Sequence, residues 1–129
     1  MQHAPRFLKL VEEARASVKE CSIDELKKRV DTGERTGTKT LIVDTREDHE
    51  WQNGHVPGAV HLGKGIIERD IEKAVPDIHT PIYLYCGGGF RSALVAQNLQ
   101  KMGYTGCVSV DGGFRAWKEK GWPIVTEGK

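Results

Sequence analysis

The pattern of apolar and polar residues changes repeatedly along the chain between helical spacing and short apolar runs, and this succession predicts the secondary structure. Helical patterns predict helices at residues 6–16, 23–30, 47–52, 64–74, 92–102 and 114–120. Short apolar runs predict strands at residues 40–44, 59–62, 81–85 and 107–110, and residues 18–21 are interpreted as a short edge strand. Residues 31–39 read as a polar turn. The alternation predicts an α/β fold with a mostly parallel central sheet covered by helices on both faces.

The first predicted helix has a clear apolar stripe. Phe7, Leu10, Val11 and Ala14 fall at helical spacing, and charged residues occupy the remaining positions. We therefore expect this helix to cover an apolar surface, either of its own domain or of a neighbouring molecule.

Composition narrows the class of protein. The length of 129 residues suits one domain, and 19 Lys and Arg against 18 Asp and Glu leave a net charge of +1 with no basic run, so we expect no nucleic acid partner. The apolar runs are far shorter than the roughly 18 residues that span a bilayer, so we expect no membrane partner. The 3 cysteines match neither a disulfide framework nor a metal site, which favours a reducing, cytoplasmic location and no bound metal.

One segment carries an evident chemical signal. Cys86 ends a predicted buried strand, and the glycines that follow it lead into a predicted helix. In parallel sheets ligands bind at this edge, beside the carboxyl ends of the strands. A cysteine, three glycines and an arginine in one short loop therefore predict a reactive thiol.

The loop also predicts how the thiolate is stabilised, since a free thiol is only about 3% ionised at pH 7. Inward-facing N–H groups of Gly87, Gly88 and Gly89 favour an anion, and Arg91 adds a charge worth about 3 kcal/mol at roughly 5 Å in an effective dielectric of about 20. We expect Phe90 to pack against the pocket wall and the Ser92 hydroxyl to cap the helix or hydrogen-bond the thiolate. Cys86 is thus the predicted catalytic residue, and the predicted substrate-binding residues are Gly87, Gly88, Gly89, Phe90, Arg91 and Ser92.

Four segments together resemble the rhodanese family of sulfurtransferases in its single-domain form. They are Val43-Asp44-Thr45-Arg46-Glu47 with Glu50-Trp51, Gly54-His55-Val56-Pro57-Gly58-Ala59, the loop from Cys86 to Ser92, and Asp111-Gly112-Gly113-Phe114-Arg115-Ala116-Trp117. The resemblance covers nearly everything from residue 18 to residue 126. We accordingly predict an N-terminal helical extension, residues 1–17, and a rhodanese-like domain, residues 18–129.

The resemblance implies a fold and a reaction. The fold is a five-stranded parallel sheet with helices on both sides. The reaction moves sulfane sulfur from a donor such as thiosulfate, through a persulfide on Cys86, to cyanide or a thiol acceptor. It requires no metal or organic cofactor, and a protein could also serve as sulfur donor or acceptor.

Other candidate site residues can be interpreted either as part of the active site or as part of the scaffold. Asp44 and Arg46 follow a strand at the same predicted sheet edge as Cys86, where they either support the site or fix the scaffold. An ion pair between Arg46 and Glu50 across one helical turn favours the scaffold role. Cys21 or Cys107 could resolve an oxidised Cys86 only if the fold brings one of them near.

Two other functions fit parts of the pattern. The same fold hosts phosphatases and arsenate reductases, whose cysteine and arginine are typically separated by five residues, whereas four separate Cys86 from Arg91 here. The shorter loop suits a sulfur atom better than a tetrahedral oxyanion. A binding module, or a carrier that delivers its persulfide only to a docked protein, is the second alternative.

Overall fold

The computed structural model describes residues 3–32 and 40–126. In these two ranges the strands are β1 (Lys19–Cys21), β2 (Leu41–Asp44), β3 (Val60–His61), β4 (Ile82–Tyr85) and β5 (Cys107–Val110). The helices are α1 (Pro5–Arg15), α2 (Ile23–Thr32), α3 (Asp48–Gln52), α4 (Ile67–Ala74), α5 (Phe90–Lys101) and α6 (Gly113–Glu119). Among the helices of the described ranges, none has the length and apolar content needed to cross a bilayer.

The strands form one parallel sheet in the order β1-β5-β4-β2-β3. This confirms the predicted fold class, an α/β fold with a five-stranded sheet and an added N-terminal helix. The register pairs Asp44 at the end of β2 with Tyr85 at the end of β4. The N–H of Thr45 then donates to the carbonyl of Tyr85 at 2.9 Å. The loops after β2 and β4 therefore start side by side at one sheet edge.

Two apolar layers hold the helices against the sheet. On one face α4 and α5 bury residues such as Ile71 and Leu99 against β4. On the other face α2 and α6 bury Leu26 and Trp117. Every residue of β4 is buried, which explains why its sequence is a continuous apolar and aromatic run rather than an alternating one.

The N-terminal helix packs on α5 instead of on the sheet. Val11 and Ala14 of α1 are buried against Ala93 and Leu94 of α5. Leu10, which helical spacing assigns to the apolar stripe, is 51% exposed. Thus α1 buries a narrower stripe than its sequence pattern indicates.

Several predicted boundaries differ from those observed. The fourth helix begins at Ile67 rather than at residue 64, because residues 64–66 form turns in which the N–H of Ile66 donates to the carbonyl of Gly63 at 3.0 Å. β3 spans two residues rather than four, and α5 begins two residues earlier than predicted, at Phe90. From residue 33 onward, the predicted polar turn at 31–39 lies outside the described residues.

Candidate active site

Cys86 directly follows β4, and its side chain is completely buried at the carboxyl edge of the sheet. The chain after it turns through the three glycines into α5. Gly89 has φ of +97°, a conformation that favours glycine, and it is the N-cap of α5. The strand, the tight turn and the helix thus place the first N–H groups of α5 around the sulfur.

The sulfur atom has three polar neighbours. The N–H groups of Gly89 and Ser92 donate to Cys86 Sγ at 3.1 and 3.4 Å. The thiol in turn donates to Ser92 Oγ at 3.6 Å, and Ser92 Oγ shares a 2.8 Å hydrogen bond with Ser109 Oγ. Two backbone N–H groups that the fold holds in place thus point at a buried sulfur atom.

The turn at the start of α6 forms backbone hydrogen bonds with the loop that follows β4. The N–H of Phe114 donates to the carbonyl of Cys86 at 2.7 Å, and the N–H of Arg115 donates to the carbonyl of Gly87 at 3.0 Å. A Cβ on Gly113 would lie 2.4 Å from the carbonyl oxygen of Cys86. Only glycine allows this close approach, so the Gly-Gly pair at residues 112–113 contributes to the site through its backbone.

Arg91 interacts with Cys86 and also forms an ion pair that the sequence does not predict. Its Nη1 and Nη2 atoms donate to Glu50 Oε1 and Oε2 at 2.8 and 3.2 Å, a bidentate ion pair that is partly buried. The hydrogen bond from Arg91 lowers the pKa of Glu50 to about 2. Glu50 therefore does not form the predicted ion pair with Arg46, and its charge offsets much of the positive charge that Arg91 brings to the loop.

Replacing Glu50 with Gln should weaken this link between α3 and the loop. We expect the free energy of unfolding to fall by about 0.5–1 kcal/mol near neutral pH, since the pair is partly exposed to solvent. A carboxyl whose pKa is lowered from 4.5 to about 2 stabilises the fold fully above pH 4.5, and this stabilisation is lost as the pH falls toward 2. Urea unfolding of both proteins at about pH 7 and about pH 3 measures the difference, which should shrink at the lower pH.

The control for this measurement is Glu12→Gln, which removes an exposed carboxylate of α1 that has no ion pair within the described residues. Its effect on unfolding should be small at both pH values. An equal loss of stability for Glu50→Gln at both pH values would show that the Arg91 pair is not its source.

Asp44 and Arg46 form a separate buried ion pair beside the site. Arg46 Nη2 lies 2.8 Å from Asp44 Oδ2 and donates to the carbonyl of Gly54 at 2.7 Å. The guanidinium also lies 4.2 Å from the centre of the Phe114 ring. The contacts with the carbonyl of Gly54 and the ring of Phe114 tie the pair to the surrounding structure, which supports the scaffold interpretation. Removing one partner from such a buried pair costs about 3–5 kcal/mol.

Phe90 packs outward against the N-terminal helix. Its ring centroid lies 4.5 Å from that of His3 and 6.2 Å from that of Phe7. The guanidinium of Arg15 covers the Phe90 ring at 5.1 Å. Phe90 therefore contacts the N-terminal segment that lies outside the family resemblance, and its predicted role in binding substrate stays a prediction.

The other two cysteines lie apart from the sulfur loop. Cys107 pairs in register with Ile82, at the opposite end of β4 from Cys86, about 13 Å away along the strand. Cys21 is in β1, and β5 separates β1 from β4. Burial raises the pKa of both thiols to about 11. Within the described residues, no group of three or more His, Cys, Asp or Glu side chains could hold a metal ion.

Sequence reasoning missed two contributors to the site. Ser109 is buried in β5 and supports Ser92, but an isolated serine in an apolar strand gives no signal that distinguishes it from any other serine. Glu50 was paired with Arg46 because the two are four residues apart. Its actual partner, Arg91, is 41 residues away and is brought close only by the fold.

With this geometry established, comparison with known proteins identifies the family. The model of the rhodanese-like domain matches residues 22–120, so the chain belongs to the rhodanese-like domain family. The match leaves α1 outside the family core and includes the loop after β4.

Several relatives and solved structures are similar to this chain over most of its length. YrkF of Bacillus subtilis, named as a putative sulfur carrier protein, is 32% identical over 105 residues, which is 81% of this chain and 54% of YrkF. A rhodanese-like domain protein from Staphylococcus aureus is 30% identical with a TM-score of 0.67, covering 86% of this chain and 95% of that one. A protein of unknown function from Rhodopseudomonas palustris, named as a possible tyrosine phosphatase, is 26% identical with a TM-score of 0.77, covering 97% and 98%.

The curated relatives are longer than the matched region. This chain spans 54% of YrkF and 64% of YqhL, an uncharacterized protein of Bacillus subtilis that is 36% identical over 84 residues. What those proteins do as wholes therefore does not transfer directly to this chain.

Proposed function

We propose that this protein is a sulfurtransferase that carries sulfane sulfur as a persulfide on Cys86. The observation that supports the proposal is the buried sulfur held by two amide N–H groups, those of Gly89 and Ser92. Such a cradle stabilises a thiolate before transfer and a persulfide anion after it, without any cofactor. The name of the relative YrkF, putative sulfur carrier protein, agrees with this chemistry.

The proposed reaction has two displacements. With thiosulfate as donor, the Cys86 thiolate attacks the outer sulfur, the sulfur–sulfur bond of thiosulfate breaks, and its electron pair leaves with sulfite. Cys86 then carries a persulfide anion. With cyanide as acceptor, the carbon attacks the terminal sulfur, thiocyanate leaves, and the electron pair returns to the Cys86 thiolate.

The loop residues divide this work between them. Gly89 and Ser92 hold the sulfur through their N–H groups, and Gly88 leaves the approach open, because a Cβ there would meet no heavy atom within 4 Å. Glu50 holds the guanidinium of Arg91 in place through their ion pair. This guanidinium donates charge-assisted hydrogen bonds to the anionic compound that supplies the sulfur. We propose that Asp44 and Arg46 act on the site only by holding the neighbouring loop.

The phosphatase alternative has one named neighbour in its favour, the protein from Rhodopseudomonas palustris. The loop length favours sulfur transfer, since only four residues separate Cys86 from Arg91. A ring of this size brings the amides close to the cysteine sulfur itself. We infer that thiosulfate-to-cyanide transfer exceeds hydrolysis of a phosphate ester.

Incubation with thiosulfate should add one sulfur atom to Cys86, and cyanide should then remove it as thiocyanate. Mass spectrometry of the intact protein and of the peptide containing Cys86 checks the first step, and a thiocyanate assay checks the second. A parallel assay with p-nitrophenyl phosphate tests the alternative. Faster ester hydrolysis than sulfur transfer would overturn the assignment, and a persulfide that no small acceptor discharges would favour a carrier dedicated to protein partners.

The cytoplasmic location and the division into residues 1–17 and 18–129 stay predictions. So does the identity of the cellular donor and acceptor, for which small thiols and sulfur-carrying proteins are both candidates.

A further inference from the structure

A surface groove of about 300 Å³ opens beside the residue that follows the catalytic cysteine. It is lined by Gly87, Phe114, Arg115, Lys118 and Glu119. The floor is the ring of Phe114, which is only 8% exposed, and the rim is formed by the charged side chains of α6. This volume is at the lower end of the range for sites that bind small molecules.

The groove lies at a fixed position relative to the sulfur. Hydrogen bonds from Phe114 and Arg115 to the carbonyls of Cys86 and Gly87 join the first turn of α6 to the loop. Gly87 lines the groove and directly follows Cys86 in the chain, so the groove opens beside the active-site loop. A persulfide extends the reactive sulfur about 2 Å beyond Sγ. A molecule of a few carbon atoms held at the rim therefore lies next to the loop that carries this sulfur.

The rim charges define which ligand is attracted. Arg115 and Lys118 are exposed and form no ion pair within the described residues, whereas Arg91 is committed to Glu50. Glu119 is also exposed on this rim, so the lining carries one net positive charge. That balance complements a ligand with a single negative charge on the part that does not react.

We propose that this groove selects, as sulfur acceptor, a small thiol that carries one carboxylate. The inference rests on the proposed sulfurtransferase function. The acceptor thiolate attacks the terminal sulfur of the protonated Cys86 persulfide, a new sulfur–sulfur bond forms, the bond to Sγ breaks, and Cys86 leaves as thiolate. The product is the acceptor's persulfide, and its carboxylate stays between Arg115 and Lys118 during the transfer.

The test compares two acceptors on the persulfidated full-length protein: 3-mercaptopropionate, which carries the carboxylate, and 2-mercaptoethanol, which is neutral. The quantity measured is the ratio of their kcat/KM values. We expect Arg115→Gln and Lys118→Gln each to lower this ratio about two- to fivefold, the range for an exposed charge pair. Intrinsic differences between the two thiols cancel when variant and wild-type ratios are compared.

Glu119→Gln supplies a test of opposite sign. Removing this carboxylate leaves two cations on the rim, so the ratio should rise. Lys120→Gln is the matched control, because it removes a positive charge from the end of the same helix, where Lys120 lies 3.6 Å from Asp24 and outside the groove lining. Its ratio should stay at the wild-type value.

Salt gives an independent measurement on the wild type. Raising the ionic strength from about 0.01 to about 1 M shortens the Debye length from about 30 to about 3 Å, so the ratio should fall. Unchanged ratios in Arg115→Gln and Lys118→Gln, with both thiols still accepting sulfur, would overturn this inference and leave the proposed function intact. Failure of Cys86 to form a persulfide at all would overturn the proposed function and this inference with it.

Discussion

Cys86→Ser is expected to abolish sulfur transfer, with a loss of at least about a thousandfold in the rate of thiocyanate formation from thiosulfate and cyanide. The hydroxyl is a far weaker nucleophile than a thiolate, and serine cannot form the persulfide that carries the sulfur. The two amide N–H groups that point at Cys86 Sγ would still be present, so the variant isolates the contribution of the sulfur atom. Steady-state assays measure the loss of thiocyanate formation, and mass spectrometry after thiosulfate treatment measures the loss of the persulfide.

The chain supplies its own controls for this experiment. Cys21→Ser and Cys107→Ser remove the other two thiols, which lie away from the loop. Cys21→Ser should keep the wild-type rate. Cys107 is 3% exposed, so Cys107→Ser should lower stability while the remaining folded protein still gains sulfur on Cys86. Substantial transfer by Cys86→Ser, or its loss in Cys21→Ser, would contradict the proposed mechanism.

The fold was predictable because its signals are local. The central strands are short apolar runs, and the run at 81–85 reads correctly as a buried strand, whereas the edge strand β1, Lys19–Cys21, is mostly polar. Parallel topology follows from the alternation of strands and helices, which places the ends of β2 and β4 at one edge. The position of Cys86 at that edge follows from the same reasoning.

The details of the site depend on contacts between distant residues, which periodicity does not encode. Arg46 is closer to Glu50 along the chain than Arg91 is, so spacing alone favours an ion pair with Arg46. In the structure Glu50 pairs with Arg91, and Arg46 pairs with Asp44. The exposure of Leu10 depends on how much of α5 is left for α1 to cover. The resemblance supplied the Gly112-Gly113 pair as a motif, and only the close approach to the loop gives it a physical reason.

The loop after β4 is held from three directions. α1 covers Phe90, α3 pairs Glu50 with Arg91, and the turn before α6 binds the carbonyls of Cys86 and Gly87. A catalytic group fixed in this way loses little freedom when the substrate arrives. Of the three supports, only the last contacts the backbone of the cysteine itself.

That contact makes Gly113 the most sensitive position outside the loop. Gly113 has φ of +55°, and an added Cβ would lie 2.4 Å from Cys86 O and 2.9 Å from Gly87 O. Both atoms belong to the backbone and accept hydrogen bonds from Phe114 and Arg115, so neither can move without disturbing those bonds. An alanine side chain therefore forces the loop away from α6.

Gly113→Ala should lower the free energy of unfolding by about 2–5 kcal/mol, about 1–2 from the left-handed backbone and about 1–3 from the overlap. The folded fraction should lose about a hundredfold in kcat, because a shift of about 1 Å misplaces the sulfur and its amide donors. The rate of Cys86 alkylation by iodoacetamide in the folded protein, compared with wild type at one pH, should also change, an effect that lower stability alone would not produce.

Gly121→Ala is the matched control, since Gly121 has φ of +72° and a Cβ there would meet no heavy atom within 4 Å. It should lose only the backbone contribution of about 1–2 kcal/mol and keep the wild-type kcat and alkylation rate. Urea unfolding, steady-state kinetics and alkylation rates on all three proteins separate the two effects. Equal behaviour of Gly113→Ala and Gly121→Ala would mean that the turn before α6 does not position the cysteine.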